Sequence, residues 1–410
     1  MIHGIVFNSK LRIGIVSTFV SIMFVPTGFS QEFSFAEFPK LEQECLNVLG
    51  DEERSRMLIA RIESKYDEEN LPEAVLMLST ILEGGNMGLG GGWFRPASQS
   101  YDWSWLAATQ KIEEDKSILD EDFQGDPLFF DRLDRNGDGE LDAMDFDWSP
   151  ANVYLQQQSV ANSIYRKMDA SQDGRLSRDE LIAFFDQVRA GSETVSIDQF
   201  RRAIRPDANS SGYLPGDEPS RERLLRGFFN GEVGSLQEGP RAGQEAPDFE
   251  LSTQSGDKTI RLKDLVGEKP IVLVFGNFTC GPFRRTYPDF DEICERYRDR
   301  AHFVGIYVRE AHPSDGWLME SNTRLGVKLP QPKTIEERTS VAQRCATELK
   351  YSMPLLVDTL DDRVGNLYSA MPARAYVIGK DGKVTYQGGR GPFGFRPAEM
   401  EQSLILTLMQ

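Results

Sequence analysis

The feature that most constrains the fold is a run of buried-strand residues that stops at a glycine and leads into a helix. The run Ile-Val-Leu-Val-Phe-Gly occupies positions 271–276, and Cys280-Gly281-Pro282 follows after three further residues. Proline is well suited to the first helical turn, where a missing N–H costs nothing. The pattern therefore predicts a buried β-strand, a tight turn and a helix that begins at Cys280.

Cys280 is predicted to be a reactive nucleophile. The unpaired N–H groups and positive dipole end of a helix lower the pKa of a cysteine placed there, and the thiolate is the reactive form. A buried, inert cysteine at a strand end is the alternative. The segment resembles the Cys-Gly-Pro-Cys motif of thioredoxins, with Phe283 at the position of the second cysteine.

The thiol that would resolve an oxidised Cys280 is left open by the sequence. Cys294 lies further along the same predicted helix, roughly 21 Å away at 1.5 Å per residue, and cannot reach Cys280 without unwinding. Cys345 is the better internal candidate, and an external thiol reductant is equally plausible. Inert core positions remain the default for both internal cysteines.

Length, charge and cysteine usage restrict the class of protein. The 410 residues carry a net charge of −18, which argues against a nucleic-acid partner, and the length favours several domains. Residues 1–30 read as a secretory signal peptide, with Lys10 and Arg12 before an apolar run; an uncleaved anchor is the alternative. A secreted, periplasmic or cell-surface location is therefore expected. Four cysteines do not make a disulfide scaffold.

The rest of the chain divides by composition. Residues 31–104 are predicted to be a helical region with a segment rich in Gly and Trp, and residues 206–242 a linker that contains a helix near 221–229. Residues 243–410 alternate predicted strands and helices and end in a hairpin, which favours a thioredoxin-like α/β sandwich. The fold class expected is α+β and multidomain: a helical region, an all-α domain at 105–205 and this sandwich.

Two loops within residues 105–205 fit the EF-hand pattern of Ca²⁺ ligands, at 134–145 and 169–180. Each would supply several oxygen ligands from one short segment around a sharp turn. The predicted ligands are Asp134, Asn136, Asp138, Glu140, Asp142 and Asp145 in the first loop and Asp169, Ser171, Asp173, Arg175, Ser177 and Glu180 in the second, with Glu140 and Arg175 acting through their carbonyls. Asp/Gly-rich turns without metal are the alternative.

The affinity of these loops for Ca²⁺ is expected to be modest, in the range of roughly 10⁻⁴ to 10⁻³ M found for extracellular modules. Asp145 is a shorter closing ligand than Glu, and serines reduce the charge of the second loop. The same spacing applied upstream places Ile118 at position 8, but Lys111 at position 1 and Lys116 at position 6 exclude metal there. Position 8 is where paired loops form short strand contacts, and Leu141 and Leu176 occupy it in the two predicted loops.

Residues from about 245 to 410 resemble the iodothyronine deiodinase family, whose members have a thioredoxin fold and remove iodine reductively with a selenocysteine. Four segments carry the resemblance. They are Phe275-Gly-Asn-Phe-Thr-Cys280-Gly-Pro-Phe283, Glu310-Ala-His312-Pro-Ser-Asp-Gly-Trp317, Pro330-Gln331 with Glu337-Arg338, and Tyr386-Gln-Gly-Gly-Arg390-Gly-Pro392.

By this resemblance Cys280 takes the selenocysteine position, Glu310 and His312 match the active-site acid and histidine, and Arg390 matches an arginine that holds the substrate. A histidine with a pKa near neutral beside a carboxylate can also donate the proton that the reaction needs. The expected function is reductive dehalogenation of a small-molecule substrate, with a thiol reductant restoring the enzyme.

The chain also departs from the family, and two alternatives stay open. Phe278 stands where many members have a cysteine, Pro332 replaces a histidine, and Met371-Pro372 resembles the cis-proline element of ordinary thioredoxins and peroxiredoxins. These differences favour a thiol-dependent peroxidase or disulfide reductase as one alternative. The other is a calcium-dependent surface binding protein in which the thioredoxin-like layer is only a scaffold.

Overall fold

The structure is a computed structural model that describes residues 33–67, 71–85, 95–171, 176–204, 217 and 219–410. The predicted signal peptide lies outside the described residues, as do two of the predicted loop ligands, Asp173 and Arg175. Within the described ranges, no helix combines the length and apolar character needed to cross a bilayer.

Helices dominate the first half of the chain, and a sheet dominates the second. The strands are β1 (Ser98–Gln99), β2 (Ile118–Leu119), β3 (Glu140–Leu141), β4 (Glu250–Ser252), β5 (Thr259–Arg261), β6 (Ile271–Gly276), β7 (His302–Tyr307), β8 (Leu355–Val357), β9 (Arg374–Ile378) and β10 (Val384–Gln387). The helices are α1 (Leu41–Val48), α2 (Glu52–Glu63), α3 (Glu73–Glu83), α4 (Trp103–Gln110), α5 (Pro127–Leu133), α6 (Val153–Met168), α7 (Arg178–Arg189), α8 (Ile197–Ala203), α9 (Arg221–Phe229), α10 (Gly281–Tyr297), α11 (Glu320–Arg324), α12 (Ile335–Glu348), α13 (Arg363–Leu367) and α14 (Pro397–Leu408).

The predicted strand at 271–276 is β6, which lies inside a six-stranded sheet of order β1-β10-β9-β6-β7-β8. Every residue of β6 is buried, as expected for an apolar run covered on both faces. It pairs in parallel with β7 and antiparallel with β9, and β9 and β10 form the closing antiparallel hairpin. The predicted α/β sandwich with a terminal hairpin is therefore confirmed.

The side chains of β6 alternate between two cores because successive residues of a strand point to opposite faces. Val272 and Val274 join the core under α10, α12 and α14, and this core also contains Cys280. Leu273 and Phe275 join the opposite core, which β4 and α13 cover. The carboxyl end of β6 thus delivers the Cys280 loop to the edge of a rigid, doubly covered sheet.

The N-terminal region is part of the same sheet, which the composition-based boundaries did not predict. Strand β1 pairs with β10, placing Ser98 opposite Gln387 and Gln99 opposite Tyr386. Trp103 and Leu106 of α4 belong to the core that contains Val272. An exposed edge strand is commonly covered by another segment, and here the covering segment comes from far away in sequence.

The segment predicted to be a linker is packed against the rest of the protein. Its helix α9 lies where the sequence predicted and shares a core with α1, α2 and α3, in which Leu225 and Phe228 are fully buried. The following residues Val233, Ser235 and Glu238 are also buried. The glycine-containing segment that suggested a linker is closely packed. We call residues 229–239 of it the strap.

Strands β2 and β3 pair the two predicted loop segments that lie next to each other in sequence. Ile118 pairs with Leu141, so the position-8 residue of the first predicted loop contacts its counterpart in the upstream segment that lacks metal ligands. Both side chains are buried. The position-8 strand contact of the first predicted loop is therefore made with the upstream segment.

Candidate active site

Cys280 lies at the N-terminal end of α10, as the sequence predicted, and Asn277 fixes the loop before it. The Cys280 backbone N–H donates to Asn277 Oδ1 at 3.0 Å. The Asn277 Nδ2 donates to the carbonyl of Pro372 at 3.0 Å. The Met371-Pro372 peptide bond is cis, as the resemblance to thioredoxins predicted. One amide side chain thus ties the cysteine loop to the proline loop.

The thiol of Cys280 is not activated in the way that the sequence predicted. Cys280 is 2% exposed, and burial raises its pKa to about 11. The Phe283 N–H in the first turn of α10 and the charge of Arg284 act in the expected direction, but they do not offset burial. The helix end therefore limits the rise of the pKa without lowering it below its ordinary value, and the resting group is a thiol at neutral pH.

Glu310 is fully buried beside this loop and accepts three hydrogen bonds. Thr279 donates its N–H and its hydroxyl to Oε2 at 2.9 and 2.7 Å, and the Tyr307 hydroxyl donates to Oε1. Burial raises the pKa of Glu310 above its ordinary range, although these donors favour the carboxylate. Its charge in turn raises the pKa of Cys280, after the larger effect of burial.

His312 is held as a neutral imidazole. Burial lowers its pKa to about 4, so the prediction of a histidine titrating near neutral pH is wrong. Its Nδ1 lies 3.2 Å from the carbonyl oxygen of Trp317. Because a carbonyl only accepts, Nδ1 carries the proton and Nε2 keeps its lone pair. In this state His312 can accept a proton at Nε2 but has none to donate there.

Thr279 joins the three predicted catalytic residues into one network. It precedes Cys280, donates to Glu310, and its hydroxyl oxygen accepts the His312 backbone N–H at 3.0 Å. Asn322 Nδ2 donates to the Thr279 carbonyl at 2.7 Å, and Arg284 donates to Asn322 Oδ1 at 2.7 Å. The structure therefore brings together Cys280, Glu310 and His312, which are separated by as many as 32 positions.

Arg390, expected to hold the substrate, is instead committed to protein partners in this conformation. Its Nε and Nη2 donate to the two carboxylate oxygens of Glu73 at 3.1 and 3.0 Å. Its Nη1 donates to the carbonyl of Ser235 at 2.6 Å, and Nη2 also donates to Ser369 Oγ at 2.9 Å. The guanidinium therefore presents no free pair of donors to a substrate carboxylate.

Glu73 is the centre of a buried ion cluster that sequence reasoning missed. It is 1% exposed and also contacts Arg374, at 3.3 Å. Burial opposes its ionisation, but Arg390 and Arg374 outweigh that effect and lower the pKa of Glu73 to about 2. No sequence pattern links position 73 to position 390. By contrast, Tyr307 and Asn277 could have been predicted as active-site residues, because both lie at strand ends next to the predicted motifs.

All residues of the first predicted calcium loop are described, and two of its carboxylates accept hydrogen bonds from the backbone of the loop. Asp134 accepts N–H groups from Gly137 and Gly139 at 2.7 and 2.9 Å. The carboxylate of Asp145 accepts from the Arg135 and Asp142 N–H groups at 2.9 and 3.1 Å. Burial raises the pKa of Asp145.

Asn136, Asp138, Glu140 and Asp142 are partly or fully exposed on the same loop. Within the described ranges, no group of three or more His, Cys, Asp or Glu side chains is arranged to hold a metal ion. The oxygen-only donor set and the left-handed turn at Gly139, with φ of +83°, nevertheless have the chemistry that Ca²⁺ uses.

The second predicted loop is described only at its ends. Glu180 accepts the N–H of Ser171 at 3.0 Å and that of Ser177 at 2.8 Å, which joins the two ends of the loop. These backbone hydrogen bonds lower the pKa of Glu180 to about 2. The Ser171 hydroxyl lies 3.3 Å from the carboxylate of Asp169, to which it donates.

The first loop is docked on α14, the helix that covers the active-site face of the sheet. Gln402 Nε2 donates to the carbonyl of Asp145 at 2.9 Å, and Gln402 Oε1 accepts from Trp148 Nε1 at 2.7 Å. Arg396 donates to the carbonyl of Trp148 at 2.9 Å. These hydrogen bonds join the predicted calcium loop to α14.

Comparisons with known proteins identify relatives of the chain. The family model described as iodothyronine deiodinase matches residues 222–406. A thyroxine 5-deiodinase of Gallus gallus is 33% identical over 43% of this chain and 67% of its own length. The enzyme of the same name from Ovis aries is 32% identical over 48% of this chain and 70% of its own length, and that from Sparus aurata is 32% identical over 44% and 66%. The chain thus spans about two thirds of these relatives.

Two solved structures are also similar to part of the chain. A thiol:disulfide interchange protein of the thioredoxin family from Chlorobium tepidum is 20% identical, covering 41% of this chain and 97% of that one, with a TM-score of 0.29. Peroxidoxin BcpB from Mycobacterium tuberculosis is 20% identical, covering 42% and 97%, with a TM-score of 0.29.

Proposed function

Because this chain belongs to the iodothyronine deiodinase family and is an oxidoreductase of the deiodinase type, we propose that it removes iodine reductively from an iodinated aromatic substrate with Cys280 as nucleophile. The observation that carries the proposal is the network in which Thr279 connects the Cys280 loop to both Glu310 and His312. The name of the relatives, thyroxine 5-deiodinase, points to the 5-position of an iodothyronine.

The reaction balances with a thiol as the external reductant. Sulfur of Cys280 attacks iodine, the carbon–iodine bond breaks, and the carbon takes the proton that the thiol gave up, which leaves a sulfenyl iodide on Cys280. A first reductant thiol displaces iodide and forms a mixed disulfide; a second releases Cys280 and leaves as the oxidised reductant disulfide. The substrate is reduced by two electrons and the two reductant thiols supply them.

The buried network is suited to transfer the proton from the sulfur of Cys280 to the carbon of the substrate. Cys280 rests as a thiol because burial raises its pKa to about 11, so a nearby base must accept that proton during attack. Glu310, whose pKa is raised by burial, and neutral His312, with a lone pair at Nε2, are the groups that would take it. Tyr307 and Thr279 position the carboxylate of Glu310 for this transfer.

The test compares substrates on the full chain with dithiothreitol as reductant. Thyroxine turnover is expected to release iodide from the 5-position, and Cys280→Ser is expected to abolish it. Cys294→Ser, which alters another buried thiol on the same helix, serves as the matched control and is expected to keep activity. Full thyroxine activity in Cys280→Ser would overturn the proposal, and Cys280-dependent turnover of hydrogen peroxide or a disulfide but not of thyroxine would assign the alternative activity.

We also propose that the loop at 134–145 binds Ca²⁺ and that the protein is exported. The loop proposal is supported by the oxygen donors at alternating positions and by the Ile118–Leu141 strand pair beside them. Asp134, Asn136 and Asp138 would hold the ion together with Asp142, Asp145 and the Glu140 carbonyl, and Ca²⁺ would supply charge neutralisation and rigidity to a segment that is docked on α14. Export is supported by the basic and then apolar character of residues 10–25.

A further inference from the structure

A cavity of about 250 Å³ lies between the strap at residues 229–239 and the carboxyl end of β7. Pockets that hold drug-sized ligands are typically about 300–1,000 Å³, so this one suits a group of amino-acid size. Phe229, Leu236, Val308 and Met371 contribute apolar surface to its wall. The cavity can therefore bind an apolar part of a ligand, and its polar groups determine which polar groups the ligand must have.

Arg309 is the cationic group of the cavity. Its Nε is buried and has no hydrogen-bond partner among the described residues. Arg309 forms a long ion pair with Asp362, whose Oδ2 lies 3.8 Å from Nε, beyond hydrogen-bond distance. Asp362 Oδ1 is already occupied by Arg338 Nη1 at 2.8 Å and by the Arg309 backbone N–H at 3.2 Å. A guanidinium whose Nε lacks an acceptor suits a carboxylate ligand, which can accept two parallel hydrogen bonds from Nε and a neighbouring N–H.

The second buried carboxylate near this cluster does not compete for Arg309. Asp358 directs its oxygens to the N–H groups of Thr359, Val364 and Gly365, at 2.8, 3.1 and 2.7 Å. The last two of these amides belong to α13, whose N-terminal end stabilises negative charge. Arg309 therefore remains the donor available to a ligand.

Two residues that line the cavity are chain neighbours of active-site residues. Arg309 directly precedes Glu310 in the chain, and Met371 directly precedes Pro372, whose carbonyl accepts from Asn277. Arg390 holds both walls, since its Nη1 donates to the carbonyls of Ser235 and Met371 at 2.6 and 3.4 Å.

The strap that forms one wall passes directly over Arg390. Gly234 has φ of +147°, and a Cβ at this position would lie 2.2 Å from Arg390 Nη1. Only glycine permits this approach. The strap wall is therefore held against the same guanidinium that holds the Met371 wall.

We propose that this cavity binds the amino-acid end of the substrate, with the substrate carboxylate on Arg309 and its apolar body against Phe229, Leu236 and Met371. The inference rests on the proposed function for the identity of the substrate and adds the position of its charged end. It also gives Arg390 a positioning role: the residue shapes the cavity while Arg309 contacts the ligand. A small thiol reductant with a carboxylate has the same recognition chemistry, and the experiment separates the two.

The test measures binding to the full chain by isothermal titration calorimetry without reductant, so that no turnover is needed. The probes are 3-iodotyrosine and 3-iodotyramine, which differ by the carboxylate. Because a hydrogen bond to a charged group is stronger than a neutral one, 3-iodotyrosine is expected to bind about tenfold or more tightly. Arg309→Gln is expected to remove this preference. Arg363→Gln, which removes an exposed charge at the start of α13, is the control and is expected to keep it.

Equal affinity for the two probes, or an unchanged preference in Arg309→Gln with an unchanged melting temperature, would overturn the inference. Displacement of 3-iodotyrosine by glutathione, with glutathione binding abolished in Arg309→Gln, would assign the cavity to the reductant and would also overturn it. Failure of the proposed function gives a different result: 3-iodotyrosine would bind with the expected Arg309 dependence, but the wild-type protein would release no iodide from thyroxine.

Discussion

Replacing Glu73 with glutamine should destabilise the protein by about 3 kcal/mol at pH 7. The carboxylate of Glu73 is shared by Arg390 and Arg374, and its substitution leaves two buried guanidiniums without their counter-ion. The pKa of Glu73 falls from an ordinary 4.5 to about 2, which corresponds to roughly 3 kcal/mol at 1.36 kcal/mol per pH unit. Removing one partner of a buried ion pair costs about 3–5 kcal/mol, so the two independent estimates agree.

The pH dependence of this effect has a definite sign. Because the folded-state pKa of Glu73 is lowered, its contribution to stability is fully present above about 4.5 and is lost as the pH falls towards 2. Urea unfolding of the wild type and Glu73→Gln should therefore differ most at pH 7 and progressively less at pH 4 and pH 3. The control is Glu83→Gln, at the exposed opposite end of α3, which should change the free energy of unfolding by less than about 0.5 kcal/mol. A loss below about 1 kcal/mol in Glu73→Gln at pH 7 would refute the reasoning.

Three further predictions follow from individual groups. Burial raises the pKa of Glu399 to about 7. The free energy of unfolding of the wild type should therefore fall by up to roughly 3 kcal/mol between pH 4.5 and pH 7. In urea unfolding, Glu399→Gln should be more stable than the wild type at pH 8 but not at pH 4. Alkylation of Cys280 by iodoacetamide, followed by peptide mass spectrometry, should accelerate about tenfold per pH unit from pH 7 to pH 10; a plateau near pH 8.5 would contradict the raised pKa. Calcium titration should give a dissociation constant in the range of roughly 10⁻⁴ to 10⁻³ M. Asp134→Ala should weaken binding at least tenfold, whereas Asp131→Ala, at an exposed neighbouring position, should not. Equal affinity in both variants would place the ion elsewhere.

The local features of the active site could be predicted from the sequence because their causes are local. The apolar run at 271–276 had to be a doubly covered strand, and the Gly-Pro pair after Cys280 had to open a helix. The cis peptide before Pro372 and the closing β9–β10 hairpin were also predicted correctly. In each case a short pattern determines the backbone conformation by itself.

The protonation states could not be predicted from the same patterns, because they depend on burial. The helix end was expected to lower the pKa of Cys280, and its effect is present, but Phe278 and Phe283 belong with Cys280 to one apolar core that excludes water. His312 titrates low for the same reason. Desolvation is a property of the assembled core, and a sequence motif reports it only indirectly.

The contacts between distant segments were the other feature that the sequence did not reveal. Composition suggested a helical region at 31–104 and a linker at 206–242, yet Glu73 pairs with Arg390 and β1 pairs with β10 at the edge of the sheet. Glycine-rich composition suggested a linker in the strap, whereas Gly234 is needed there to pass over Arg390. Single residues such as Glu73 carry no signal of such a partner, because ion pairing across more than 300 positions leaves no periodicity.

The most direct test of the account is a single-turnover measurement of 5-deiodinated product, followed by a measurement of the iodide released when thiol is added. Fully reduced protein, freed of external thiol and mixed with excess thyroxine, should release one 5-deiodinated product per Cys280 and then stop, since the sulfenyl iodide cannot be reduced further without added thiol. Addition of dithiothreitol should release the iodide and restart turnover, and Cys280→Ser should give no product at any stage. Formation of the same amount of 5-deiodinated product by Cys280→Ser would contradict the account.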